Sequence, residues 1–249
     1  MGLNKSFRWS SFTQPKQGHT SEEFEDACAV DAERGRFAVA DGASESSYSG
    51  EWAGWLTSGF VEKSLFDSSW PEWLPPVQER WKECVPSAPE NISWFAEEKI
   101  HDGAFATFLG LEFTVTPNER TYQAIAVGDS CLFQIREDKL LKSFPLNNSA
   151  EFGTRPALIG SRHNPASKPL PEKRIAANFL PQDTFFLMTD ALATWFLSES
   201  EVDRFPWREL NEIRSLPTPM GIFERWIQTQ RSSGALKNDD VTLVAIEAL

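Results

Sequence analysis

One pattern restricts the fold of this chain more than any other: a short apolar run that stops at an aspartate. Phe37-Ala38-Val39-Ala40 ends at Asp41-Gly42, and Thr184-Phe185-Phe186-Leu187-Met188-Thr189 ends at Asp190. Runs of this length, rich in Phe and Val and closed by a turn signal, read as buried strands. A strand buried as far as Ala40 holds the next carboxylate at the edge of a core. A carboxylate on such a rigid element can be aimed, which is how hard cations are commonly held. Gly42 lets the backbone come close to whatever Asp41 binds. Taken alone, Asp41-Gly42 is equally what a turn requires.

The surrounding sequence adds carboxylates to the same place. His19-Thr20-Ser21-Glu22-Glu23-Phe24-Glu25-Asp26 leads into the apolar Ala27-Cys28-Ala29-Val30, and the polar stretch 31–36 contains Gly35. Two apolar runs joined in this way predict an antiparallel hairpin, with Glu25 and Asp26 beside Asp41 and Gly42. Three carboxylates at one hairpin end repel each other unless a cation neutralises them. Further on, Gly128-Asp129-Ser130 interrupts two strand patterns, and Asn238-Asp239-Asp240 precedes the strand pattern Val241-Thr242-Leu243-Val244-Ala245-Ile246. Acidic residues therefore arrive at five strand boundaries: 25–26, 41, 129, 190 and 239–240. Coincidence explains one of these, not five.

Elsewhere the periodicity changes. Trp52, Trp55, Leu56, Gly59, Phe60 and Val61 fall at helical spacing, so an amphipathic helix from Gly50 packs its aromatic stripe on a sheet. Pro71, Pro75 and Pro76 are expected to break the next stretch. Ile92, Phe95, Ala96 and Ile100 predict a second helix ending near Asp102-Gly103. Strands follow over 104–116, 122–127 and 131–136. From Ser143 to Pro171, five prolines and two glycines dissolve the pattern. An irregular excursion of this size is the kind that forms functional lids, and it carries Arg155 and Arg162, which could meet an anionic substrate. Ile222, Phe223, Trp226 and Ile227 mark another helix. Residues 1–18 read as a polar leader without the apolar centre of a signal peptide. Gly2 and Ser6 match the short myristoylation pattern, which chance also explains.

Composition narrows the class. A chain of 249 residues, 41% hydrophobic and 24% charged, is ordinary for a globular protein and reads here as one domain. Its net charge of -12 argues against a nucleic-acid binder, which would show a basic patch. It suits a protein that collects cations. No apolar run is long enough to span a membrane. Cys28, Cys84 and Cys131 are scattered, odd in number and without metal-ligand spacing, so they are expected as free thiols in a reducing compartment. The expected location is the cytoplasm and the expected state a monomer.

Read in order, these pieces resemble the motif set of the protein phosphatase 2C family, the metal-dependent Ser/Thr protein phosphatases. Glu25-Asp26-Ala27 resembles its first acidic motif, and Phe37-Ala38-Val39-Ala40-Asp41-Gly42 its Val-x-Asp-Gly strand. Gly103-Ala104-Phe105-Ala106-Thr107 is similar to its Gly-Ser-Thr-Ala strand start, and Gly128-Asp129-Ser130 to its Gly-Asp-Ser turn. Thr189-Asp190-Ala191-Leu192 resembles Ser-Asp-Gly-Leu, and Asp239-Asp240-Val241-Thr242 the closing Asp-Asn-x-Thr. The ordered set covers residues from about 19 to 247.

The resemblance implies an α+β fold, a four-layer αββα sandwich of two mainly antiparallel sheets flanked by helices. It also implies hydrolysis of phosphoserine and phosphothreonine by a water activated between two Mg²⁺ or Mn²⁺ ions, without a phosphoenzyme. Asp41 would bridge the two ions, with the Gly42 carbonyl assisting. Asp190 and Asp239 would hold the first ion, and Glu25, with Asp26 through water, the second. Asp129 would share a third, weaker site with Asp190. The implied partners are phosphoproteins and, as in bacterial members, a Ser/Thr kinase acting opposite. Two departures stand out. Ser21 occupies the place of an arginine that grips phosphate, for which His19 could substitute, and Ala43 stands where animal members carry a histidine. The irregular Phe152-Gly153-Thr154-Arg155-Pro156 replaces the usual flap and leaves substrate recognition open. The missing arginine keeps a second reading open, a pseudophosphatase acting as a regulatory module. A hydrolase built on His101-Asp102 is a more distant third.

Overall fold

The hairpin expected around Asp41 forms. Strand β2 (Asp26–Asp31) turns through Gly35, whose φ of 70° suits glycine, and returns as β3 (Arg36–Asp41) with Asp26 directly opposite Asp41. The structure is a computed structural model that describes residues 6–44, 46–84, 103–153, 155–163 and 169–249. The helix expected from Ile92 to Ile100 and the His101-Asp102 pair lie outside these residues.

Two five-stranded sheets stack face to face, and every strand pairing is antiparallel. The first runs β10 (Lys173–Asn178), β6 (Arg120–Val127), β5 (Phe108–Val115), β3, β2. The second runs β1 (Phe7–Gln14), β12 (Val241–Ala248), β11 (Thr184–Met188), β7 (Cys131–Arg136), β8 (Lys139–Phe144). A small third ladder joins β4 (Phe105–Ala106) to β9 (Ile159–Gly160). Because strand side chains alternate, each strand feeds two cores. Phe37, Val39, Leu111 and Phe113 meet Phe185, Leu187, Val244 and Ile246 between the sheets. Ala38, Ala40, Ile125 and Val127 face outward under α1 (Ser49–Glu62) and α2 (Trp70–Cys84). On the far side, Phe133, Phe186 and Leu243 pack under α3 (Asp190–Glu201), α4 (Pro206–Ser215) and α5 (Pro219–Ser232). The architecture is therefore helix, sheet, sheet, helix, as the motif resemblance implied.

Several expectations are corrected. Residues 7–14 are not a leader: they form edge strand β1, paired along its whole length with β12, and Phe7 and Phe12 are buried. Its five polar residues among eight hide a strand whose partner lies over two hundred residues away. Nor do the prolines break the stretch after α1. Helix α2 runs through Pro75 and Pro76, while Pro71 sits in the first turn, where no helical bond is lost. Each interior proline costs about 3 kcal/mol. Burial of Trp73, Val77 and Trp81 at helical spacing, roughly 1.5–3 kcal/mol each, offsets that cost. The segment 104–116 is two strands, divided at Thr107. Among the described residues after Ser143, a short 3-10 turn at Ser149–Glu151 and β9 interrupt the excursion.

A buried polar chain stitches the sheets together. The Tyr122 hydroxyl on β6 donates to Gln134 Oε1 on β7 (2.9 Å), and Gln134 Nε2 donates to Asp183 Oδ2 (2.8 Å). Arg136 grips the same carboxylate through Nε (2.9 Å) and Nη2 (2.7 Å). Burial pushes the Tyr122 phenol up to about 12, so it remains a donor at any physiological pH. Burial alone would raise the Asp183 carboxyl as well. Arg136, the Leu180 N–H and Gln134 together hold it below the usual carboxylate range. Asp183→Asn is expected to cost about 3 kcal/mol at pH 7, the scale for breaking a buried ion pair. Since the folded-state pKa is depressed, this stabilisation is present above the unfolded value near 3.9 and is lost as pH falls through the folded one. Urea denaturation at pH 7 and in the acid range should therefore show the gap between wild type and variant closing in acid.

Candidate metal centre

The site is built outward from the backbone of Asp41. Its N–H donates to Thr107 Oγ1 (3.2 Å), its carbonyl accepts from the Thr107 N–H (2.8 Å), and Thr107 Oγ1 is hydrogen-bonded to Ser130 Oγ (2.9 Å). The break between β4 and β5 thus clamps the end of β3 and links it to the Gly128-Asp129-Ser130 turn. At Gly128 (φ +101°) an added Cβ would lie 2.7 Å from Thr107 Cβ. At Gly42 it would lie 2.6 Å from the Glu25 carbonyl oxygen and 2.8 Å from that of Ser49. The close approach that Gly42 permits is therefore to the chain before β2 and to the start of α1.

Other elements bring their acids to this end of the sandwich. Thr189 precedes α3 and donates its hydroxyl to Asp26 Oδ2 (2.8 Å), while accepting from the Thr242 N–H (2.9 Å). Asp190, the first residue of α3, accepts from the Ala191 N–H at Oδ1 (2.6 Å). Asp239 Oδ1 accepts from the Asp240 N–H (3.1 Å). The Lys237 ammonium lies 2.6 Å from Asp239 Oδ2 and 3.5 Å from Asp190 Oδ2. Asp240 accepts the backbone N–H groups of Lys16 (2.8 Å) and Glu25 (2.7 Å), drawing the ends of three segments together.

The electrostatics report the crowding. Burial raises Asp41 well above the carboxylate range, and the charges of Asp26, Asp190, Asp129 and Asp239 raise it further. Asp26 is raised well above its usual value, mostly by burial and also by Asp240 and Asp190. Burial, with Asp190, pushes Asp129 up to about 7. Asp190 is raised by burial and Asp239, against the opposing pull of Lys237.

Asp26, Asp41, Asp129, Asp190 and Asp239 thus act on one another, whereas Glu25 is turned aside. Its carboxylate meets Lys16 Nζ (3.3 Å), the Ser49 hydroxyl (2.7 Å) and the Ser44 hydroxyl. It lines a neighbouring open cleft of about 370 Å³ together with His19. His19 stands 3.9 Å from Glu23. Ser21 begins a short exposed 3-10 turn, and Arg155 is exposed; neither lines that cleft.

The donor set suits a hard divalent cation in residue type and burial. Asp26 Oδ1 and Asp129 Oδ1 are buried without a hydrogen-bond partner, and an unsatisfied buried carboxylate oxygen is costly unless a cation or proton meets it. The set is not closed, however: among the described residues, no group of three or more His, Cys, Asp or Glu side chains is arranged to hold an ion. The carboxylates are gathered within electrostatic reach, while Asp26 Oδ2 meets Thr189 and the oxygens of Asp190 and Asp239 meet Lys237 and backbone N–H groups.

No protein-family model matches the sequence, and no curated protein matches it. Solved structures do match. PppA, described as a key regulatory component of T6SS in Pseudomonas aeruginosa, superposes with a TM-score of 0.60 at 18% identity over 98% of each chain. The Ser-Thr phosphatase MsPP of Mycobacterium smegmatis gives 0.58 at 18% identity, over 97% of this chain and 98% of that one. The catalytic domain of the serine/threonine phosphatase PstP, solved with two manganese ions, gives 0.58 at 15% identity over 98% and 99%. The fold is that of the protein phosphatase 2C enzymes. At these identities the likeness is one of fold.

Sequence reasoning found the aspartates and missed what holds them. Thr107, Thr189 and Asp240 act through hydrogen bonds to distant backbone or side chains, and only their place inside or next to the acidic motifs marked them. Lys16 and Lys237 carried no signal beyond their charge. The crowding predicts that, in EDTA, Asp41→Asn is more stable than wild type by about 1–2 kcal/mol and melts at a higher temperature. The amide keeps the shape and removes a buried charge from among four others. A lower or unchanged melting temperature by calorimetry would show that these acids do not strain the fold.

Proposed function

We propose that this chain is a divalent-cation-dependent phosphomonoesterase that removes phosphate from phosphoserine and phosphothreonine in proteins. The observation that carries the reading is the opposed pair of buried Asp26 and half-buried Asp41, with Asp129, Asp190 and Asp239 gathered around it, on a fold shared with PstP and MsPP. Asp41, Asp190 and Asp239 would hold the Mg²⁺ or Mn²⁺ pair, with Glu25, Asp26 and the Gly42 carbonyl toward the second ion. Asp129 would serve a third, weaker site with Asp190. Ions held there would lower the pKa of a water toward neutrality and offset the charge of a phosphomonoester dianion.

The chain's own residues supply position and charge. Thr107 keeps Asp41 from shifting, and Asp240 keeps Lys16 and Glu25 against the start of β12. The Lys16 ammonium reaches the cleft beside Glu25 and Ser44, where it faces an entering phosphate. Although partial burial opposes it, Glu25 holds that ammonium above its ordinary pKa, so it stays charged. Burial pushes the Cys131 thiol far up, which removes it as a nucleophile. In this reading the phosphoryl group passes to water: the bond from phosphorus to the serine or threonine oxygen breaks, and a proton of that water ends on the departing oxygen. Substrates of this class are made by a Ser/Thr kinase, which is the partner activity the reading requires. Among the described residues, no helix is long and apolar enough to cross a membrane.

A regulatory role without catalysis is the second reading. It is favoured by Ser21, in the place of a phosphate-gripping arginine, and by the Lys237 ammonium between Asp190 and Asp239. Activity separates the two. Purified protein with Mn²⁺ is expected to hydrolyse an aryl phosphate, and Asp41→Asn to reduce the rate by at least ~100-fold, the scale on which one charge-stabilising group acts. Equal rates in wild type and variant at saturating Mn²⁺ reject the enzyme. Binding linkage gives a separate readout: Mn²⁺ should raise the melting temperature of wild type more than that of Asp190→Asn.

A further inference from the structure

We propose that Lys237 is a tethered counter-ion that competes with the divalent cation for Asp190 and Asp239, and must swing out to solvent for that ion to bind. The inference rests on the metal reading above and concerns how tightly the site loads.

The argument begins with which carboxylate oxygens are available. Asp190 Oδ1 is engaged by the Ala191 N–H at 2.6 Å, and Asp239 Oδ1 by the Asp240 N–H at 3.1 Å. The remaining oxygen of each residue, Oδ2, is the one that faces Lys237, at 3.5 Å and 2.6 Å. A cation that draws on the oxygen of each residue left open by the backbone meets the two atoms that the ammonium holds.

The backbone under Lys237 is anchored on both sides, so the competitor cannot drift away. Leu236 is buried in the core beneath α5, and its N–H donates to the Gln230 carbonyl. The Lys237 carbonyl accepts from the Asp239 N–H (3.0 Å). Tethering at this distance keeps the local ammonium concentration high whatever the bulk ionic conditions.

The side chain itself is free to leave. Its relative exposure is 64%, so the ammonium already reaches solvent and leaves without crossing the core. An ion pair made by so exposed an ammonium is weak. The ammonium therefore handicaps a divalent ion without excluding it. A dication also gains what an ammonium cannot, direct coordination by several carboxylates at once. Lys237 is thus placed to weaken loading by a modest factor and to hold Asp190 and Asp239 together until the ion arrives.

Isothermal titration of Mn²⁺ into wild type, Lys237→Met, Lys237→Gln and Lys237→Arg tests this directly. The Met and Gln variants are expected to bind Mn²⁺ about tenfold more tightly, two exposed pairs being lost. The Arg variant should stay near wild type. In EDTA, the Met and Gln variants should melt below wild type and gain more on adding Mn²⁺, because Asp190 and Asp239 then repel unopposed. Equal or weaker Mn²⁺ affinity in Met and Gln overturns the proposal while leaving the metal centre intact. Absence of Mn²⁺ binding in every protein, wild type included, overturns the metal reading and this inference with it.

Discussion

Two carboxylates facing each other across the end of a buried hairpin are the constraint to which the rest of this structure answers. Asp26 and Asp41 are opposed in register on β2 and β3, and both are raised well above the ordinary carboxylate range. At the ~5 Å spacing of opposed strand residues, like charges repel by roughly 3 kcal/mol at an effective dielectric of 20. Burial adds a desolvation cost to that figure. A hairpin does not end in this way for stability. It sits at one end of a two-sheet sandwich, and the same end also delivers Asp129, Asp190 and Asp239.

What keeps the arrangement folded is a set of short polar ties between segments remote in sequence. Thr107 grips Asp41 from both sides of its peptide unit, Thr189 bonds Asp26, and Asp240 holds the backbone of Lys16 and Glu25. Each tie satisfies backbone or carboxylate groups that would otherwise lie unpaired near the core, where an orphaned polar group costs about 1–3 kcal/mol. The two sheets supply the rigid frame, joined by a dry aromatic core and by the Tyr122–Gln134–Asp183–Arg136 chain. Strain is thereby confined to the acidic end, while the middle of the sandwich carries the stability.

The fold was legible wherever the sequence pattern is local. The hairpin around Asp41, helix α1, the strand before Asp190 and the last strand all announce themselves through period-2 or period-3.6 apolar spacing. Strand β1 did not, because its pairing with β12 comes from the opposite end of the chain and its own residues are mostly polar or small. Helix α2 was hidden by prolines whose cost is offset only by contacts of Trp73, Val77 and Trp81 with the rest of the core. Hairpin spacing alone brings Glu25 close to Asp41. The Glu25 carboxylate instead turns to Lys16, Ser44 and Ser49, a choice of rotamer and neighbour that no spacing rule encodes.

By itself, then, the sequence determined that buried strands would end in carboxylates, which acids those were, and the order in which they come. These follow from alternation, chain length and the free energy of burying apolar residues, all of which act between near neighbours. Only the tertiary structure decided that Asp26, Asp41, Asp129, Asp190 and Asp239 share one electrostatic environment, and that Lys237 stands between two of them. Distances between residues some two hundred positions apart are set by how two sheets stack and which edge strands close them. Side-chain direction at a crowded charged site is set by whichever donor lies within reach, and that is known only once every segment is in place.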